Sequence, residues 1–321
     1  VIVAGREGEG PLAPLHLDRR VTRLAQGFQG HGLLAAESMT ASLDAVADFM
    51  GSIRELGAQC VACGATGVVR RASNGRQLLE AIHKRWGIPC RLLSEDEEAL
   101  LAAKGILSGG FDEGNPIIGF DLGGGSTEIM LLDPAAPKPL WLTSVSAGAA
   151  TVTHRFLDGD PPSATSLARA SREVRGLLEP ALREVERALE DCHAPTESVE
   201  VVGTAGTVTT LAAIRLEMVA YRPYRVNGLV LEAAWIRACI ERLARLQSAE
   251  RCRVPGLEQG REDIIIGGAI LVEELLRGLR HDRVAVTDAG LLEGLLLAGI
   301  EDRLGLPRSL SSPLTWDWRD H

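Results

Sequence analysis

The chain has 321 residues, 45% of them hydrophobic, 24% charged and only 4% aromatic, a length and balance that predict two domains with aliphatic cores. A formal net charge of −9 and a pI of about 5.4 argue against a general nucleic-acid binder and against a protein of anionic membrane surfaces. No apolar run approaches the roughly 18 residues of a membrane span, and no secretory signal opens the chain.

The opening "VIVAG" (Val1–Gly5) reads as the second arm of a hairpin, and the absence of Met before it predicts further residues upstream. Met39, Leu43, Val46, Phe49, Met50 and Ile53 recur at a helical period and predict a helix over Glu37–Leu56. "AQCVACGAT" reads as a buried strand. In it Cys60 and Cys63, the one CxxC pair among six cysteines, act as small hydrophobes. No second pair or nearby His completes a zinc site, and such usage predicts reduced thiols and a cytoplasmic address. A helix over Arg76–Trp86 and a short strand "IPCRLL" follow. "SEDEEALLAAKGIL" opens on Ser94 as N-cap with Glu97 three residues later, a capping box. Glu95, Asp96, Glu97 and Glu98 suit the positive end of that helix.

A Gly/Pro/Asn break at 111–116 marks a domain boundary, giving domains 1–115 and 116–298 and a C-terminal segment, 299–321, expected to pack back on the first domain. Beyond the break stands "PIIGFDLGGGSTEIMLLD" (Pro116–Asp133): two short apolar strands, Ile117–Leu122 and Ile129–Leu132, joined by a glycine turn. Glycines there allow positive φ and close backbone approach to a ligand, and successive N–H groups in such a turn form an anion site. Asp121 beside that site would repel an anion unless a divalent cation lay between them. The residues alone leave a second reading open: a glycine hairpin in which Asp121 is hydrogen-bonded to the turn.

"PAAPKP" (Pro134–Pro139) reads as a turn and Ser166–Cys192 as a long amphipathic helix. "VEVVGTAGTVTTLAAI" (Val199–Ile214) reads as a strand, a Gly-Thr-Ala-Gly-Thr turn and a helix, a nucleotide or anion geometry. Helices are expected over Glu232–Leu246 and, capped by Asp263, over Ile264–Leu276. "RVAVTDAGLLEGLLLAGI" (Arg283–Ile300) repeats strand, Asp-Ala-Gly turn and helix, and the mixture predicts an α/β class.

Familiar phosphate motifs do not fit. After Gly123 and Gly125 the sixth position is Glu128 and a strand follows, unlike a dinucleotide fingerprint, and no GxxxxGK[ST] exists in the chain. What remains is a strand–Asp–glycine–Ser/Thr–strand hairpin with a second glycine turn at a helix start. That combination resembles the actin, Hsp70 and sugar-kinase superfamily.

Within it, "ATGVVRRASN", "LLSEDEEALLAAKGIL", "GFDLGGGSTEIMLL", "SVSAGAATVTHRFL", "VVGTAGTVTTLAAI", "VPGLEQGREDIIIGGAILVEELL" and "TDAGLLEGLL", in this order, resemble the exopolyphosphatase / guanosine pentaphosphate phosphohydrolase family, in its short form without a C-terminal helical domain. The resemblance runs from about residue 30 to residue 300. It implies two ribonuclease-H-like (actin-like ATPase) domains with a cleft between them. It implies Mg²⁺ or another divalent cation as cofactor, polyphosphate or guanosine pentaphosphate as substrate, and a homodimer.

Residue by residue, Glu98 corresponds to the carboxylate that activates the attacking water, and Glu128 to a second essential carboxylate near the metal. Asp121 would hold Mg²⁺; Gly123, Gly124, Gly125 and Ser126 would cradle the terminal phosphate, and Arg70 would face the substrate phosphates. Gly203, Thr204, Ala205 and Gly206 correspond to a second loop, the adenosine-type loop of the superfamily, and are counted among the phosphate-binding residues; Gly290 sits in its second connecting motif. Leu100 stands where many members have Arg, and nothing here matches the family's opening phosphate loop. That loop is expected in roughly 15–25 residues upstream of Val1, the length of a strand, a glycine turn and a lead-in. Competing readings are a kinase or ATPase of the same superfamily and a catalytically weak alarmone-binding regulator.

Overall fold

A computed structural model describes residues 1–6, 8–20, 22, 24, 32–110, 115–194, 199–306 and 309–317. They group into two units. One comprises Val1–Gly105, Leu291–Arg308 and Ser312–His321; the other comprises Ile106–Gly290 with Ser309–Ser311. Most of the Gly/Pro/Asn break at 111–116 lies outside the described residues. No helix among the described residues is long and apolar enough to cross a membrane.

In the first unit, β1 (Ile2–Gly5) pairs antiparallel with β2 (Ala13–Leu17), so "VIVAG" is here the first arm of a strand pair. The apolar stripe predicted along the next helix appears as α1 (Ala36–Glu55), which buries Leu43, Met50 and Ile53. β3 (Cys63–Ala65) leads into the short α2 (Gly67–Arg71) and then α3 (Gly75–Trp86). β4 (Cys90–Leu92) runs parallel to β3 and leads into α4 (Glu95–Leu107). The expected buried strand at "AQCVACGAT" is corrected: only Cys63–Ala65 is strand, Cys60 is exposed, and Cys63 is half-buried. With three residues paired only to β4, the segment has too little sheet around it to bury both cysteines. α10 (Leu291–Leu304) supplies Leu297 to a small core with Leu12 and Leu314. Leu12 binds the C-terminal segment through backbone bonds to Thr315 and Asp317, each 2.8 Å.

The second unit is built on a six-stranded sheet. Its strands are β5 (Ile117–Leu122), β6 (Thr127–Leu132), β7 (Trp141–Val145), β8 (Glu200–Thr204), β9 (Val230–Glu232) and β10 (Arg283–Val286). They lie in the order β7-β6-β5-β8-β10-β9. β5 is nearly continuous apolar sequence because it is central and covered on both faces. β5, β8 and β10 run parallel, so the turns after them emerge at one end of the sheet.

Helices α5 (Ala149–Phe156), α6 (Ala164–Asp191), α7 (Ala205–Arg215), α8 (Ala233–Leu243) and α9 (Ile265–Leu279) contribute to the core of this unit. α6 shows the expected amphipathic pattern, with Ser163 accepting from the Ser166 N–H at 3.1 Å as its cap. α9 is buried almost all round, as a predominantly apolar helix must be, and its buried Glu273 and Glu274 are paired with Arg237 and Arg175. Its N-cap is Ile264, without a side-chain cap bond; Asp263 does not cap it.

Candidate active site

In the first unit, β3 and β4 deliver two short segments side by side. The chain leaving β3 turns at once into α2, which carries Arg70; the chain leaving β4 turns into α4, which carries Glu98. Arg70 Nη1 donates to Glu98 Oε2 at 3.0 Å and to the Leu93 carbonyl at 2.7 Å, and Nη2 donates to Glu95 Oε1 at 3.3 Å. Arg70 and Glu98 are each largely shielded, at 22% and 28% side-chain exposure, whereas Glu95 is 83% exposed. That difference makes Arg70–Glu98 the ordered pair and Glu95 a solvated partner. Glu98 Oε1 makes no hydrogen bond among the described residues.

Glu97 has a different task. It accepts from the Ser94 N–H at 2.9 Å while Ser94 Oγ accepts from the Glu97 N–H at 3.1 Å, the reciprocal box expected from the sequence. That backbone bond, foremost, holds the Glu97 carboxyl below its ordinary value. Leu100 is exposed on α4.

In the second unit, one rung of the sheet carries four polar residues. Asp121 on β5 lies opposite Glu128 on β6, Glu128 lies opposite Ser144 on β7, and Asp121 lies opposite Thr204 on β8. Directly opposed residues share a face, and two carboxylates so placed repel unless a cation or hydrogen bonds intervene. Ser144 Oγ donates to Glu128 Oε1 at 2.8 Å. Among the described residues, no group of three or more His, Cys, Asp and Glu gathers as a metal cage. Two carboxylates of hard oxygen character nevertheless suit Mg²⁺, which takes one or two such ligands and completes its shell with water and substrate phosphate.

The glycine turn follows immediately beyond this rung. Gly123 N–H donates to Ser126 O at 3.0 Å and closes the turn. Gly123 O accepts from Ala149 N–H at 3.0 Å, and Gly124 O from Ala150 and Thr151 N–H at 2.9 and 3.1 Å. The Gly123 and Gly124 carbonyls are thus spent on the first turn of α5, and none of the N–H groups of Gly124, Gly125 and Ser126 donates a bond among the described residues. Gly124 and Gly125 are exposed.

None of Gly123, Gly124 and Gly125 occupies the left-handed region, so the expectation of positive φ is corrected. Their use is close approach. The tightest constraint falls on Gly148, where a Cβ would lie 2.5 Å from Gly124 C and 2.6 Å from the Gly123 and Gly124 carbonyl oxygens.

The second loop divides in two. Gly203 is buried within β8, and a side chain there would come within 2.5 Å of the Phe120 ring, so its smallness serves packing. Thr204 is also buried and donates from Oγ1 to Ala289 O at 3.0 Å, tying β8 to the Asp-Ala-Gly turn after β10. That turn is held by Asn227 Oδ1, which accepts from the Asp288 N–H at 2.6 Å, and by Tyr221, whose hydroxyl donates to Asp288 at 2.8 Å. Ala205 adopts φ 72°, a strained position for a residue with a side chain, at the very start of α7. Gly206 follows it directly beneath the Arg261 guanidinium, with Nη2 2.1 Å from where a Cβ would sit. Arg261, Ser144 and Gly148 were not singled out by the sequence. The motifs "VPGLEQGREDIIIGGAILVEELL" and "SVSAGAATVTHRFL" contain Arg261 and both Ser144 and Gly148.

The Ppx/GppA phosphatase family is matched over residues 1–302. Exopolyphosphatase 2 of Mycobacterium tuberculosis is 32% identical over 300 residues, covering 90% of this chain and 90% of that protein. Exopolyphosphatase 1 of Mycobacterium bovis is 24% identical over 94% of this chain and 84% of that one. Among solved structures, the Aquifex aeolicus member of the Ppx/GppA family matches with a TM-score of 0.77 at 26% identity, over 94% of each chain. An exopolyphosphatase-like protein matches with a TM-score of 0.77 at 26% identity over 92% of each. Together with the mixed α/β architecture and its actin-like fold, these likenesses identify the chain: it belongs to the Ppx/GppA phosphatase family and is a hydrolase of phosphoanhydride bonds.

Proposed function

We propose that the chain removes the terminal phosphate of inorganic polyphosphate, and that the same site accepts the 5′-γ-phosphate of guanosine pentaphosphate. The observation that carries this reading is the rung Ser144–Glu128–Asp121–Thr204 with the three uncommitted N–H groups of Gly124, Gly125 and Ser126 just beyond it. Parallel strands present their ligands beyond their carboxyl ends, and three neighbouring amides form an anion site.

Hydrolysis of a phosphoanhydride needs little covalent chemistry from the protein; it needs charge neutralisation and an in-line water. In this reading the loop amides receive the equatorial oxygens of the terminal phosphate, and Asp121 and Glu128 are the residues that hold Mg²⁺. The cation, when bound, would neutralise charge on the phosphate oxygens. Glu98 accepts the proton of the attacking water at Oε1, the oxygen that Arg70 leaves open. Arg70 fixes the Glu98 carboxylate through its other oxygen and is the cation that meets the outer phosphates. The setting we assign is cytoplasmic, a reading supported by free cysteines.

The test is release of inorganic phosphate from long-chain polyphosphate and from guanosine pentaphosphate, each with and without Mg²⁺. Mg²⁺-dependent release from polyphosphate is expected. Saturable binding of guanosine pentaphosphate with no phosphate released from either substrate would replace the hydrolase by a binding module.

A further inference from the structure

β3 and β4 are parallel neighbours in which Cys63 stands directly opposite Cys90. Their Sγ atoms are 2.9 Å apart, and the Cys63 thiol donates to the Cys90 sulfur. Both are free and half-buried. Neighbouring strands lie about 4.7–4.9 Å apart, inside the Cα separation of about 4.4–6.8 Å that a disulfide spans. The CxxC motif therefore misleads. The sulfur against Cys63 belongs to a residue 27 positions away, while Cys60 is exposed on the approach to the strand.

We propose that Cys63 and Cys90 form a dithiol that closes reversibly to a disulfide, a modification site at the base of the two segments carrying Arg70 and Glu98. The oxidant is a low-molecular-weight disulfide. The Cys90 thiolate attacks it, forming a mixed disulfide and expelling one small thiolate. Cys63, losing its proton to solvent, then attacks Cys90 Sγ and expels the second small thiolate. Two protein thiols are oxidised, one small disulfide is reduced to two thiols, and the protein loses two hydrogens. The order of attack follows from the hydrogen bond. The thiol donated by Cys63 lowers the Cys90 pKa against the effect of burial, and the same bond, before burial, raises that of Cys63.

Partial burial admits a small oxidant and slows larger ones. Each strand then runs directly into its functional helix: Arg70 lies seven residues after Cys63, and Glu98 eight after Cys90. A bridge would tie these two strands beneath the Arg70–Glu98 pair without engaging either side chain.

The experiment is incubation of the full chain with oxidised glutathione, alkylation, trypsin digestion without reduction and mass spectrometry. The peptide spanning 55–70, which holds Cys60 and Cys63, should be joined to the peptide spanning 86–91, which holds Cys90. Its mass should be two hydrogens below the sum of the two. Dithiothreitol should release it, Cys60→Ser should preserve it, and Cys63→Ser or Cys90→Ser should abolish it. A bridge inside the 55–70 peptide would overturn the assignment in favour of CxxC. Glutathione held on Cys90 without resolution by Cys63, or both thiols remaining alkylatable, would overturn it as well. The wild-type mass map decides between these outcomes even if a serine variant folds poorly.

Discussion

Gly148→Ala tests whether the glycine loop is a built phosphate cradle. The added methyl would meet Gly124 C at 2.5 Å and the Gly123 and Gly124 carbonyl oxygens at 2.6 Å. All three are backbone atoms, so no side chain can rotate away. Carbon contacts become favourable near about 3.5–4.0 Å, so the loop must retreat by about 1 Å. Retreat pulls the two glycine carbonyls from the first turn of α5, where they accept from Ala149, Ala150 and Thr151. Overpacking of this kind costs about 1–3 kcal/mol, and each hydrogen bond weakened costs about 0.5–1.5 kcal/mol.

The substitution should act on rate as well as on fold. A misplacement of about 1 Å in a positioning group costs roughly 10²-fold. The assay pairs urea unfolding with phosphate release from polyphosphate. The expected protein is less stable by about 2.5–7.5 kcal/mol, the overpacking term plus three weakened bonds, and its folded fraction is about a hundredfold slower in kcat/KM. A Gly148→Ala protein with unchanged stability and turnover would refute the argument that Gly148 sets the loop's position. Lost stability with unchanged turnover would show that the loop is a structural turn rather than a cradle.

Glu98→Gln should leave the fold intact by circular dichroism and lower phosphate release by about 10²–10⁴-fold, the usual contribution of a general base. Asp121→Asn should raise the Mg²⁺ concentration needed for half-maximal activity, read from a metal titration of phosphate release. Arg70→Lys should reduce kcat/KM by about tenfold or more while keeping charge, because a lysine cannot hold the same bonds. Lys104→Met should destabilise the chain by about 3–5 kcal/mol in urea unfolding, since it strands a fully buried Glu301 carboxylate. The double variant Lys104→Met, Glu301→Leu should recover most of that loss, because removing both charges removes the desolvation penalty.

Much of the second unit was legible in the sequence because its elements are long or strongly patterned. β5 and β6 are apolar runs bounded by glycine, and α6 carries its stripe through many turns. β7 escaped notice because it is an edge strand of half-exposed, mixed residues with one neighbour to pack on. α5 escaped because eight residues hold too few turns to show a period, and its first turn is held by loop carbonyls rather than by a side-chain cap. Ile264, not Asp263, is the residue at the start of α9, and no side-chain bond caps that end. The candidate site residues were assigned through a resemblance of motifs, which carries no information on their physical partners. Arg70 meets Glu98 across 28 positions, and Cys63 meets Cys90 across 27, through the parallel pairing of two three-residue strands. No periodicity reports such a pairing.

Arg70 shows why residue type and geometry must be considered together. A guanidinium has five N–H donors in a planar fork. Three are engaged here, by Leu93 O, Glu98 and Glu95, and the Glu95 bond reaches a carboxylate that is 83% exposed. Water competes strongly for that third bond, so it is the one most readily exchanged. In the proposed reaction Arg70 would release Glu95, turn that donor and the remaining ones to phosphate oxygens, and keep both Leu93 and Glu98. The bond to Leu93 matters because it anchors the guanidinium to the backbone just before α4, so the arginine and the carboxylate are positioned by the same turn. An ammonium, with three donors on a flexible stem, would have to choose between holding the carboxylate and meeting the substrate. On the function proposed above, one arginine against two glutamates would let a single cation orient the base and receive a polyanion at once.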